Sequence, residues 1–290
     1  MKNYLQLIRV KHYLKNFLLF LPLIFSQKLF QASPFFNVFL GFLAFSFLSS
    51  VIYINNDIHD IESDRKHITK KNRPLPAGKI SIRCAVITEI ILLFISVCLL
   101  ILLFLRVNNI FVFLLPIIYL VLNILYSNGL KNIAIVDIVI LVSGFLIRVL
   151  FGSILVGVKV SNWLYLMIMF ASFYLGFGKR RNEIKQVGDI SRKVLNCYNK
   201  DFLDKNMYSC FTLSIFSYSM WCIDPITVSR INNSVLIWTI PLVMIIFMMY
   251  SLQIEKSSSG DPVEVLLKNK PLIAMIGVYG IIMFFILYVM

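Results

Sequence analysis

The chain has 290 residues, of which 59% are hydrophobic and only 14% charged, with a mean hydropathy of +0.83. A water-soluble domain is roughly 45–50% apolar, and no stretch here stands apart in composition, so the expectation is one membrane-embedded domain over residues 1–290. The net charge of +14 excludes little and needs no nucleic acid to explain it, because orienting lysines and anionic lipid headgroups account for much of it.

The start, Met1 to Asn16, is basic and amphipathic, and no small-residue cleavage site follows its first apolar run. The first span is therefore expected to remain. At about 20 apolar residues per crossing, spans are predicted near 17–33, 36–55, 84–105, 109–127, 134–157, 163–178, 207–223, 235–253 and 271–290. Long polar connections (56–83, 179–206, 254–270) alternate with short ones (106–108, 158–162, 224–234). With this register 23 Lys and Arg fall on the side of the N-terminus and long loops, against 4 on the other: Lys28, Arg106, Lys159 and Arg230. Such a bias sets the N-terminus and long loops in the cytoplasm and the C-terminus outside. The expected fold is thus an all-α polytopic membrane bundle of about nine transmembrane helices. Five cysteines lack C-x-x-C pairing and metal-ligand spacing, and read as packing residues.

Acidic residues do not set orientation, yet most sit on the basic face. The densest run, Asn55 to Arg65, lies where the second span ends. If the helix continues, Asp57, Asp60 and Asp64 share one face at i, i+3 and i+7. Three stacked carboxylates repel one another unless a cation sits among them, and carboxylate and amide oxygens suit Mg²⁺, which takes its other ligands from a phosphorylated substrate. The plainer alternative is a solvated helix end paired with Lys66, Lys70 and Lys71. The neighbouring Arg73-Pro74-Leu75-Pro76-Ala77-Gly78 favours function, since a fixed basic turn suits phosphate oxygens.

Further along, Asp137 and Arg148 are eleven residues apart on the fifth predicted helix and share a face with Gly144. Their rise of about 16 Å excludes a direct pair. They either line a polar cavity or form a buried structural set, with Glu89 a candidate partner of Arg148. The sixth helix ends in Gly176-Phe177-Gly178-Lys179-Arg180-Arg181-Asn182-Glu183, either an orienting cluster or a second basic lobe, with Lys179 and Glu183 at i, i+4. Lys11, Lys15 and Asn16 precede the first span and either anchor it or serve a site.

These motifs resemble the UbiA prenyltransferase superfamily: Asn56-Asp57-x-x-Asp60-x-x-x-Asp64-Arg65, then Arg73 to Gly78, within the predicted layout. The likeness is greatest to its decaprenyl-phosphate phosphoribosyltransferase branch. It is carried there by Val10 to Asn16, Tyr126-Ser127 to Asp137, Ser143-Gly144-Phe145-x-x-Arg148, Gly178-Lys179-Arg180-Arg181-x-Glu183, Tyr218-x-x-Trp221 and Asp261-Pro262-x-Glu264. In place of the second Asp-rich motif usual in aromatic prenyltransferases stand Lys179-Arg180-Arg181 and a lone Glu183.

The resemblance implies a cytoplasm-facing central cavity, a phosphoribosyl diphosphate donor, a polyprenyl phosphate acceptor and Mg²⁺. It implies Asn56, Asp57, Asp60 and Asp64 as metal ligands, with these three aspartates, Asp137 and Arg148 in the chemistry. Lys15, Asn16, Arg65, Lys70, Arg73, Tyr126, Lys131, Lys179, Arg180 and Glu183 are the implied phosphate-binding set. The competing enzyme expectation is isoprenyl transfer to an aromatic or other small acceptor. A transporter fits less well, because the ionisable residues crowd one face and no inverted repeat is visible.

Overall fold

The computed structural model describes residues 2–66, 70–185, 193–231, 234–256 and 261–290. Part of the expected long loops, including Arg192, lies outside the described residues. Every regular element described is helical. Chain contacts divide it into two compact units, one of residues 1–130 and 147–159, the other of 131–146 and 160–290.

The first unit begins with α1 (Lys2–Leu7), a 3-10 stretch (Val10–Phe20) and α2 (Leu21–Phe25). The continuous span expected at 17–33 is not formed. Pro22 lacks an N–H and sits in the first turn of α2, where none is needed, and Gln27 turns the chain with φ +59°. The stretch also lies too close to α7 (Val136–Val156) for a side chain at Gly152, where an added Cβ would stand 2.2 Å from the Leu19 carbonyl oxygen. Next come α3 (Ala32–His59), α4 (Ile61–Lys66), α5 (Ile82–Val107) and α6 (Phe111–Ser127). Ser81 caps α5 by accepting from the Cys84 amide (3.2 Å). The core of this unit packs Leu19, Leu23, Val38, Ala44, Phe45, Leu103 and Phe151, among others. Buried serines on α3 and α5 do not break that apolar surface, because their hydroxyls find carbonyls: Ser50 donates to Ile8 (2.8 Å) and Ser96 to Ala44 (2.9 Å).

The second unit holds the first half of α7, through Leu146. It continues with α8 (Asn162–Lys185), α9 (Lys200–Ile223), α10 (Pro225–Ile231), α11 (Ile240–Lys256), α12 (Pro262–Lys268) and α13 (Lys270–Tyr288). Asn199, Asp261 and Asn269 cap α9, α12 and α13. Glycine lets α8 approach its neighbours, since a Cβ on Gly176 would meet Ile138 at 2.9 Å and one on Gly178 would meet Ile254 at 2.8 Å.

Among the described residues five helical stretches are long and apolar enough to cross a membrane: Ala32–His59, Ile82–Val107, Val136–Val156, Val235–Glu255 and Lys270–Tyr288. Helix α6 is apolar but has only 17 residues. Helices α8 and α9 overrun the predicted spans 163–178 and 207–223 because each is extended by a charged turn. The chain is a membrane protein, and its exposed phenylalanines, leucines and isoleucines, such as Phe94 and Leu105 on α5, face lipid in that setting.

Candidate active site

In the first unit, α3 stops at Asp60, whose φ of −95° and ψ of 8° leave the helical region. Hydrogen bonds nevertheless continue across the break, from the Asp60 amide to Asn56 (2.9 Å) and the Asp64 amide to Asp60 (2.8 Å). Asp57 and Asp64 are therefore still carried on one side, and they are only 3% and 2% exposed. One atom joins them: Arg73 Nη1 donates to Asp57 Oδ1 (3.0 Å) and to Asp64 Oδ2 (2.6 Å). Lys70 Nζ stands 3.5 Å from Asp64. Asp60 is half-buried at the break itself, and Arg65 reaches away to the Pro76 carbonyl (3.4 Å).

Arg73 is held by its own turn. The Ala77 amide donates to the Arg73 carbonyl (3.0 Å) and the Lys79 amide to that of Pro74 (2.9 Å), while Gly78 adopts φ +67°, which favours glycine. Leu75 packs with Leu7, Ile54, Ile61 and Ile80, so apolar burial fixes the turn under the aspartates. Asn56, expected as a ligand, accepts from the Ser127 hydroxyl at the end of α6 (2.6 Å).

The same unit contains a buried guanidinium. Arg148 Nε donates to Asn16 Oδ1 (2.7 Å) and Nη2 to the Tyr119 hydroxyl (3.0 Å), and its charge lies 4.9 Å from the ring centres of both Phe45 and Tyr119. Asn16 in turn donates to Ser46 (2.9 Å). A charge at bilayer depth costs roughly 2.5–3.5 kcal/mol on insertion scales, and these dipoles and aromatic faces offset part of it. Glu89, a candidate partner, accepts from Asn55 (3.3 Å). Lys15 is half-buried on the 3-10 stretch, and Lys15, Arg148 and Arg9 all lie within electrostatic reach of the Tyr53 hydroxyl. Tyr126 is half-buried in the last turn of α6.

The second unit has a cluster of its own. Asp137 and Arg180 are fully buried, and Arg180 Nε donates to Asp137 Oδ2 (2.5 Å) while its Nη1 donates to Glu183 Oε2 (2.5 Å). Tyr198 donates to Asp137 Oδ1 (2.6 Å) and accepts from the Ile135 amide (2.5 Å), Ile135 itself having φ +70°. Burial, reinforced by the bond to Asp137, pushes the Tyr198 phenol up to about 12, so it is a donor at neutral pH. Arg180, expected as a phosphate ligand, is held by these two carboxylates. Glu183 takes Arg180 at i+3, and its side chain is 25% exposed. Arg181 is paired with Asp204 and, at 3.4 Å, with Glu255. Lys179 is half-buried on α8, and Lys131 half-buried in the 3-10 turn before α7.

Arg9 is the participant that sequence reasoning missed. Its Nη2 donates to Asp57 Oδ1 (2.5 Å) and its guanidinium lies 4.7 Å from the Tyr53 ring centre. Forty-eight residues separate it from Asp57, and by sequence it counts only as an orienting charge. Tyr119 and Tyr198 were equally silent, since a hydroxyl inside an apolar run or loop carries no spacing signal.

Among the described residues no three His, Cys, Asp or Glu side chains form a metal cage. Mg²⁺ does not require one, because it binds through one or two carboxylates and completes its shell with water and phosphate. Two carboxylate oxygens that reach a single cationic nitrogen already define a point for a positive charge. The donor chemistry of Asp57 and Asp64 fits that ion.

The sequence pattern of the UbiA prenyltransferase family matches residues 19–268. The chain is 30% identical over 287 residues to decaprenyl-phosphate phosphoribosyltransferase of Corynebacterium glutamicum, covering 95% of this chain and 84% of that protein. It is 29% identical to the enzyme of the same name from Mycolicibacterium smegmatis, over 86% of this chain and 81% of that protein. The fold is similar to that of a UbiA homolog from Archaeoglobus fulgidus bound to GPP and Mg²⁺, with a TM-score of 0.70 at 18% identity, covering 98% of this chain and 99% of that one. The chain is a membrane-bound transferase and belongs to the UbiA prenyltransferase family.

Proposed function

We propose that the enzyme transfers a 5-phosphoribosyl group from phosphoribosyl diphosphate to a polyprenyl phosphate, at the cytoplasmic face of a cell membrane with its N-terminus inside. The bond from the anomeric carbon to the diphosphate breaks, a bond from that carbon to an oxygen of the lipid phosphate forms, and pyrophosphate leaves. The observation that carries this reading is the convergence of Asp57 and Asp64 on one cationic point, 3.0 and 2.6 Å away, beside the fixed basic turn of Arg73. Bound there, Mg²⁺ would neutralise charge on the leaving diphosphate.

The remaining work falls to the chain's own groups. Arg73 and Lys70 flank the aspartates and suit phosphate oxygens. The acceptor phosphate is already a nucleophile and needs little general base, but it must approach another anion. Lys15 and Arg148 supply the positive field for that approach, with Asn16 and Tyr119 orienting Arg148. In the second unit Arg180 and Tyr198 act as positioning residues for Asp137, and Glu183 is the more exposed carboxylate for ligand hydroxyls. The names of the corynebacterial and mycobacterial relatives agree with phosphoribosyl transfer.

The test is incubation of the purified protein with isotopically marked phosphoribosyl diphosphate, polyprenyl phosphate and Mg²⁺, followed by mass spectrometry of the lipids. A marked phosphoribosyl lipid with matching pyrophosphate release is expected. Consumption of an isoprenyl diphosphate in place of phosphoribosyl diphosphate would assign isoprenyl transfer instead.

A further inference from the structure

Two arginines occupy the carboxylates that a metal would need. Arg9 Nη2 and Arg73 Nη1 share Asp57 Oδ1, at 2.5 and 3.0 Å, and the same Arg73 atom holds Asp64. With Lys70 at 3.5 Å from Asp64, three positive side chains stand on these two carboxylates. A bare divalent ion would have to displace the arginines and leave them unpaired, whereas one that arrives with a diphosphate brings anionic oxygens for them to turn to.

We propose that Arg9 and Arg73 are resident counter-cations which release Asp57 and Asp64 to the metal and turn to the diphosphate oxygens, so that metal and diphosphate bind as a linked pair. The inference rests on the metal-site reading above and goes beyond it by giving Arg9 a role and metal binding a condition.

The backbone supports a movable Arg9. Its φ of 53° and ψ of 49° place a non-glycine residue in the left-handed region, a conformation that persists only where surroundings enforce it. Here the Arg9 amide donates to the Gln6 carbonyl (3.2 Å), the His12 amide donates to the Arg9 carbonyl (2.8 Å), and the side chain is held by Asp57 and the Tyr53 ring. Immediately after it come the eleven residues of 3-10 winding, Val10–Phe20, whereas such winding rarely runs beyond a few residues and marks hinges. Guanidinium groups are well suited to the exchange, since one planar fork serves carboxylate and phosphate alike.

The experiment is an electron paramagnetic resonance titration of the full chain in detergent with Mn²⁺, with and without pyrophosphate. The wild type is expected to bind Mn²⁺ at least ~5-fold more tightly when pyrophosphate is present, the scale of linked sites. Arg9→Gln and Arg73→Gln should each bind Mn²⁺ alone more tightly than the wild type while losing that enhancement, and Arg9→Lys should restore part of it. Folded arginine variants whose affinity for Mn²⁺ alone is unchanged or weaker would make the contacts purely structural and overturn the proposal. Absence of any coupling in the wild type would overturn it even if the variants fail to fold. Equal Mn²⁺ binding by the wild type and Asp57→Asn in every condition would remove the metal-site reading together with the inference.

Discussion

Asp57 carries two loads at once, balancing Arg9 and Arg73 in the structure and, in the proposed reaction, receiving the metal. Asp57→Asn keeps the size but removes the charge, so turnover measured as pyrophosphate release should fall by at least ~100-fold, the scale of losing one preorganised electrostatic group. The fold should survive, since Arg73 keeps Asp64. Tyr198 does different work: its hydroxyl closes the Asp137 acceptor and caps the Ile135 amide. Tyr198→Phe should destabilise by about 1.5–3 kcal/mol, the range for a hydrogen bond to a charged partner. The pH dependence follows from the raised phenol. Because its folded value of about 12 exceeds the ordinary 10.0, the stabilisation is fully present below 10 and is lost as pH rises through 12. The melting-temperature gap between wild type and Tyr198→Phe should hold constant across neutral pH and narrow above about pH 10.

For the elements, the close approach of the 3-10 stretch to α7 is the sharpest constraint. A Cβ at Gly152 would meet backbone, 2.2 Å from the Leu19 carbonyl oxygen, and backbone cannot rotate away as a side chain can. Gly152→Ala should therefore cost about 1–3 kcal/mol, as other overpacking substitutions do, and loosen the contact between Asn16 and Arg148, whereas Gly280→Ala, on open α13 surface, should be neutral in the same thermal assay. The helical elements were largely legible from apolar runs. What apolar runs could not reveal was winding: nothing in residues 10–33 announced a 3-10 segment with a buried Asn16 facing Arg148. The convergence of Asp57 and Asp64 was legible because helical spacing puts them on one side, next to the basic turn of Arg73. Its counter-ions were only half legible, since Arg73 sits beside it in sequence and Arg9 does not. Asp137 and Arg148 stood out together as charges in an apolar helix, yet their partners, Arg180 and Tyr119, follow from tertiary packing alone.

At the scale of the whole molecule, the distribution of Lys and Arg makes a directional statement. In right-side-out vesicles a protease added outside should remove a tag fused to the C-terminus and spare one fused to the N-terminus. Reversal of that pattern would move the basic turn of Arg73 to the external face, away from the proposed cytoplasmic donor. Composition made the membrane setting plain, while the division into two compact units left no mark in it, because both units are built from the same apolar alphabet.

Ile135 carries one more consequence. A β-branched residue at φ +70° occupies a conformation its side chain resists, and the residue is 54% exposed, so little packing rewards it. Asparagine tolerates this geometry far better. Ile135→Asn, leaving the amide bond to Tyr198 in place, should raise the melting temperature by about 2 °C and yield a sturdier sample for trapping the enzyme with its ligands.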